Sequence, residues 1–269
     1  MGAVTHGASG ILSRSLPADY VEVDMKSLLA DRLINIIRKT LQRIGASENQ
    51  ILRVIAVLIR FPIKTAQLRL LNIQKERSII SLVGKIQKEK NSLMWPIEMV
   101  QIYNCASLAK KLPGDFVEVG VYLGRSAKLI CEAKGDKQIH LFDTFEGLPK
   151  PEPIDGKTFH EKQYAARLDS VKTYLSNYKN VDFHQGFFPK TAEPIKRKSF
   201  AFVHLDVDLY HTTLACLEFF YPRMVRGGII LSHDYSTSAG VKKAFDDFFA
   251  DKTELVIELS TSQCLVVKL

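Results

Sequence analysis

The segment from Phe200 to Tyr235, FAFVHLDVDLYHTTLACLEFFYPRMVRGGIILSHDY, constrains this chain more than any other. Phe200 to Leu205 is an apolar run broken only by His204, the composition of a strand buried on both faces. It stops at Asp206 and Asp208. His211 to Met224 has helical periodicity, with Leu214, Leu217, Phe220 and Tyr221 on one side, and Gly227-Gly228 is the expected stop. Ile229 to Leu231 then reads as a second buried strand ending at His233-Asp234. If the two strands pair in parallel, Asp206 and Asp234 emerge at one sheet edge. Ligands of open α/β sheets bind at the carboxyl ends of strands. Two carboxylates and an imidazole there suit a divalent cation, a general base, or both.

The rest of the chain repeats the strand–helix alternation. Asp115 to Gly120 is a first strand, leading into a helix from Arg125 to Ala133. Gln138 to Phe142 is a second, closed by Asp143 and followed by the loop TFEGLPKPEPIDG, whose Pro and Gly content opposes regular structure. A helix over Glu161–Tyr178 leads to a third strand, Val181–His184, ending at Gln185-Gly186. After the central unit come a helix, Ser238–Ala250, and a terminal hairpin, Glu254–Ser260 with Gln263–Leu269. The pattern predicts an α/β fold: a doubly wound, Rossmann-like sheet with an antiparallel C-terminal hairpin, spanning residues 91–269. Trp95-Pro96 marks its start, and Ile97–Lys111 is its leading helix.

Residues 1–90 read as a separate, helical and basic arm. They hold 15 Lys/Arg against 7 Asp/Glu, whereas residues 91–269 hold 22 against 22, so the net charge of +8 belongs to the arm. Packing on the sheet domain or on a second copy of the chain is the plain expectation for such a segment. Peripheral contact of residues 26–90 with anionic lipid is the sharper one. Charged residues interrupt every apolar run in the arm, which argues against a spanning helix. No nucleic-acid recognition motif accompanies the basic residues. Cys105, Cys131, Cys216 and Cys264 form no CxxC pair and fit reduced, buried thiols of a cytoplasmic protein.

Chemistry concentrates at two further strand ends. Glu118-x-Gly120-x-x-x-Gly124 follows a strand and opens a helix, the context a nucleotide-binding glycine loop requires. Gly120 permits a sharp turn and Gly124 a close approach to the helix start. The spacing is not that of the dinucleotide fingerprint, which disfavours an NAD enzyme. Glu118 suits an ammonium group or a sugar hydroxyl. Asp143, about twenty residues on, stands where an acid holds ribose hydroxyls, unless both acids merely cap loops. His160, His211 and His204 are weaker candidates, as are Phe187, Phe188 and Trp95 for stacking.

Four blocks, GDFVEVGVYLGRSA, HLFDTFEGLP, FHQGFFPKT and HLDVDLYHTTLACLEFFYPRMVRGG with HDY, together resemble the macrocin O-methyltransferase family over about residues 91–250. That resemblance implies a class I fold that binds S-adenosylmethionine (SAM) and methylates a hydroxyl of a sugar or other natural product. It places Glu118, Gly120 and Ser126 beside the methionine part of SAM, Asp143 on its ribose, and Gln185-Gly186 along the adenine. It also implies a magnesium or manganese site on Asp206 and the pair before Tyr235. Where the family usually carries Asp-Asp-Tyr, this sequence has His233-Asp234-Tyr235, and imidazole favours softer ions than magnesium. Asp206, His233 and Asp234 are therefore expected as ligands and catalytic groups, with Asp208 weaker. Two alternatives stand beside this: a metal-free enzyme with His233 as general base, and a membrane-surface protein with a degenerate SAM fold.

Overall fold

The computed structural model describes residues 62–89 and 93–269. The chain divides between Thr65 and Ala66, and the unit Ala66–Leu269 carries the sheet. The expectations that fall on residues 1–61, including residues 26–61 of the segment 26–90 expected to touch lipid, lie outside the described residues.

Seven strands form one sheet: β1 Asp115–Val119, β2 Ile139–Asp143, β3 Val181–Gln185, β4 Phe200–Leu205, β5 Met224–Ser232, β6 Ile257–Glu258 and β7 Cys264–Val267, in the order β3-β2-β1-β4-β5-β7-β6. The first five are parallel, and β7 runs antiparallel between β5 and β6. The strand order reverses between β1 and β4, the place where such sheets open a ligand crevice. Every residue of β4 is buried, as its apolar run requires. Phe116, Phe202, Ile139 and Leu141 face one core layer, and Val117, Val203, Leu205 and Phe142 face the other.

Helices cover both faces: α1 Arg77–Gln87, α2 Pro96–Ala109, α3 Arg125–Ala133, α4 Leu168–Tyr174, α5 Tyr210–Phe220 and α6 Ala239–Phe249. Among the described residues no helix is long and apolar enough to cross a membrane. Helix α1, grouped with the basic arm by sequence, lies in the sheet unit. It buries Ile79, Ile80, Val83 and Ile86 in the same layer as α2. Glu89 just beyond it accepts a hydrogen bond from the Tyr174 hydroxyl at 2.9 Å and pairs with Arg125 at 3.3 Å.

Three expected elements have different bounds. The helix expected over 211–224 ends at Phe220, because Pro222 lacks the N–H that another turn needs. Gly227-Gly228 caps no helix. It lies inside β5, where the register against β4 slips between Phe200 and Phe202, so the glycines form a bulge. The helix expected over 161–178 shrinks to α4, since Lys162 and Gln163 pair their backbone with Leu148 at 2.8 Å instead. Of the terminal hairpin, β6 keeps two residues and β7 four.

Candidate active site

Backbone hydrogen bonds lock three strand ends together. Asp206 N–H donates to Val119 O at 2.9 Å, and His233 N–H donates to Leu205 O at 2.8 Å. Donor atoms of Asp206, His233 and Asp234 consequently lie within 4.8 Å of one another. His233 Nδ1 is 3.3 Å from Asp234 Oδ2 and 3.8 Å from Asp206 Oδ1, while Nε2 is 3.3 Å from Glu98 Oε2. Asp208 and Asp234 both hold left-handed backbone, at φ 64° and 57°. Such strain costs about 1–3 kcal/mol per residue and clusters at functional sites.

The electrostatics follow from crowding acids around one imidazole. Burial by itself lowers the pKa of His233, but the carboxylates of Asp206, Asp234 and Glu98 hold it well above the ordinary imidazole range. Burial pushes Asp206 up to about 6, against the pull of His233. Asp208 rises well above the carboxylate range through burial and the nearby charges of Asp206 and Asp234. Burial would raise Asp234, but His233, with hydrogen bonds from Thr237 and Asp208, lowers it. Asp208 does not cap the following helix, which starts without a side-chain cap. Its carboxyl turns instead to a hydrogen bond with Asp234.

The glycine loop abuts this cluster. Gly120 has φ +88°, and a Cβ there would lie 1.9 Å from the carbonyl oxygen of Asp206. At Gly124 (φ +76°) a Cβ would lie 2.9 Å from Val171 Cγ1, so helix α4 fills the space at the start of α3. Asp143 braces the loop: Oδ2 accepts from the N–H groups of Val121 and Tyr122, and Oδ1 from Phe145, each at 2.7 Å. Gly186 N–H donates to Asp143 O at 2.9 Å, which brings Gln185-Gly186 beside it. Glu118 is fully buried and lies 2.8 Å from His204 Nδ1. Burial raises the pKa of Glu118 to about 8 and lowers that of His204 to about 4. Glu118 Oε2 has no hydrogen-bond partner. Ser126 is buried at the start of α3.

The other candidates disperse. His211 is exposed and pairs with Glu152 at 3.1 Å. His160 is exposed and faces Glu161 O of its own loop. Phe188 packs on Phe142 and Phe220 in the core, whereas Phe187 is exposed. Trp95 precedes α2. Sequence reasoning missed two residues. Glu98 reaches His233 from α2, where an acid in a first helical turn signals only capping; its Oε2 also accepts from Trp95 N–H at 2.7 Å. Tyr164, at φ 63° in a segment expected to be helical, lies close enough to the cluster that Asp208, Asp234 and Asp206 all add to the rise that burial gives its pKa.

One family model matches the greater part of the chain. The model of "Macrocin-O-methyltransferase (TylF)" matches residues 97–260. Among curated proteins, the chain is 30% identical over 168 residues to 8-demethyl-8-(2,3-dimethoxy-alpha-L-rhamnosyl)-tetracenomycin-C 4'-O-methyltransferase of Streptomyces olivaceus, covering 56% of this chain and 62% of the relative. It is 28% identical over 171 residues to demethyldecarbamoylnovobiocin O-methyltransferase of Streptomyces niveus, covering 57% and 64%. The matches thus span under two thirds of either relative. Among solved structures, the O-methyltransferase NovP shares the fold with a TM-score of 0.59 at 21% identity, over 76% of this chain and 99% of that one.

Proposed function

The chain belongs to the macrocin O-methyltransferase family, and on that premise we propose that it transfers a methyl group from SAM to a hydroxyl of a sugar-bearing natural product. One observation carries this reading: the glycine loop and the acid–imidazole cluster meet at a single point, the contact of Gly120 with Asp206. Gly120, Ser126, Asp143 and Gln185-Gly186 would hold the methyl donor, next to the cluster that would receive the acceptor. The named relatives act on a rhamnosyl tetracenomycin and on demethyldecarbamoylnovobiocin, which supports a sugar hydroxyl of a natural product. The four cysteines, all free and buried, support a reducing cytoplasmic setting.

The reaction is a displacement in which the acceptor oxygen attacks the methyl carbon opposite sulfur. The sulfonium is already activated, so the protein has to align the pair and accept the hydroxyl proton. Alignment alone is worth about 7–11 kcal/mol. The donor set fits a divalent cation. Glu98 occupies the Nε2 side of His233, which turns Nδ1 toward Asp206 and Asp234. When bound, such an ion lowers the hydroxyl pKa and fixes the acceptor oxygen. Asp206, Asp234 and His233 would hold it, and the imidazole favours manganese or zinc over magnesium. In the metal-free alternative His233 is the general base, its pKa raised by the carboxylates of Asp206, Asp234 and Glu98 around it.

The test is a screen of glycosylated and phenolic acceptors with labelled SAM, with and without chelator. Label transfer that stops in chelator while SAM still binds supports the full reading. Transfer unaffected by chelator removes the cation, and absence of saturable SAM binding removes the methyltransferase itself.

A further inference from the structure

A second set of donors gathers on the outer strands. Val117 stands in register with His140, and His140 with Asp182. Because side chains repeat every two residues, Asp115, His140, Asp182 and His184 all share one face of β1, β2 and β3. His140 is 1% exposed. Its Nε2 lies 3.1 Å from Asp115 Oδ2, and its Nδ1 lies 3.2 Å from His184 Nε2 and 3.5 Å from Asp182 Oδ2. A neutral imidazole carries one N–H. With that proton donated to Asp115, Nδ1 presents a lone pair to both neighbours. His184 can answer with its own N–H; the Asp182 carboxylate, which only accepts, cannot. A positive charge among the three donors satisfies them all.

The dimensions fit a metal ion. The ligating atoms of His140, Asp182 and His184 lie within 4.8 Å of one another. Tetrahedral zinc with bonds of about 2.0–2.1 Å separates neighbouring donors by about 3.3 Å, and the observed 3.2 and 3.5 Å bracket that spacing. The supporting groups are in place as well. Asp115, held by Lys198 Nζ at 2.6 Å, orients His140 through the far ring nitrogen, as carboxylates do for metal-bound histidines. The His184 ring is stacked on Phe142, with centroids 4.3 Å apart and planes 11° from parallel. The Asp182 side chain is 58% exposed, which leaves a path for entry.

We infer that His140, Asp182 and His184 form a site for a late first-row transition cation, with zinc as the fitting ion and Asp115 as the group that positions His140. Two imidazoles and one carboxylate select zinc, cobalt, nickel or copper over magnesium. The ion ties edge strand β3 to β2. The site is separate from the acid–imidazole cluster at Asp206 and stands whether or not that cluster holds a cation.

The test titrates chelator-stripped, full-length protein with zinc chloride by calorimetry, alongside Asp182→Asn, His184→Asn, Asp115→Asn and Asp206→Asn, with folding checked by circular dichroism. The inference requires a binding event that persists in Asp206→Asn and weakens by about a hundredfold or more in Asp182→Asn and His184→Asn. Asp115→Asn should weaken it by about 10–100-fold. Asp182 is exposed, so its replacement leaves the core intact and keeps the test decisive if His184→Asn misfolds. Absence of zinc uptake by the wild type overturns the assignment. So does uptake unchanged in Asp182→Asn, or uptake lost in Asp206→Asn alone.

Discussion

Replacing Gly120 with alanine probes whether the cofactor loop and Asp206 are one construction. The added methyl carbon would lie 1.9 Å from the carbonyl oxygen of Asp206 and 2.7 Å from its carbonyl carbon. Comfortable carbon contacts begin at about 3.5 Å, so the two strand ends must part by roughly 1 Å or more. Parting them breaks the bond from Asp206 N–H to Val119 O. That loses about 1 kcal/mol, and orphaning the buried groups adds about 1–3. Left-handed backbone costs alanine about 1–2 kcal/mol more. The expected destabilisation is therefore about 3–6 kcal/mol, against a typical total of about 5–15. Urea unfolding followed by circular dichroism should show a lower midpoint with unchanged slope. Under folding conditions, an Asp206 displaced by about 1 Å should slow methyl transfer about 100-fold. A variant within about 1 kcal/mol of wild type, with normal SAM affinity and rate, would refute the close approach and the coupling built on it.

Three other expectations are simpler to state. Asp143→Asn loses acceptor capacity for the N–H groups of Val121, Tyr122 and Phe145. It should cost about 2–3 kcal/mol in a urea titration and weaken SAM binding about tenfold; equal stability would mean the loop does not depend on that carboxylate. Glu98→Gln removes one of the carboxylates holding the His233 proton, so the imidazole pKa followed by NMR should fall, with activity down about 10–100-fold. An unmoved titration would detach Glu98 from the site. Burial would raise Glu254, yet Lys268 and Tyr221 hold its carboxyl down to about 2 from 4.5. A folded pKa below the unfolded one contributes stability that is complete above pH 4.5 and fades toward pH 2. Glu254→Gln should therefore flatten the acid limb of a stability–pH curve, and an identical limb would contradict the pairing.

The sheet was legible because buried parallel strands advertise themselves as apolar runs that stop at polar residues. Phe200–Leu205 ends at Asp206, and its neighbour ends at His233, and backbone pairing then brings those ends together. What escaped was set by contacts distant in sequence. Nothing near Glu98 announces a histidine 135 positions later; its local pattern is that of a helix start. Tyr164 was hidden because helical periodicity over 161–178 is genuine, but backbone pairing with Leu148 outcompetes it. The glycine pair at 227–228 misled for a similar reason. Glycine serves a helix end and a bulge equally well, and only the register with β4 distinguishes them. Departure from the family's usual acid pair was visible as His233, whereas the rise of its pKa depends also on carboxylates brought in by two other segments, Asp206 and Glu98.

Helix α1 decides where this protein can be cut. A deletion that stops at Thr65 keeps Ile79, Ile80, Val83 and Ile86 in their layer. One that runs on to Lys90 takes those four side chains away, each worth about 1.5–3 kcal/mol of burial. It also takes Gln67, whose Oε1 receives the Ile97 N–H at 3.3 Å, in the same helical turn that carries Glu98 to His233. A truncated protein made for crystallisation or assay should therefore begin near Ala66. Trimmed to the first strand's leading helix, it would expose an apolar surface and loosen the very turn on which the imidazole rests.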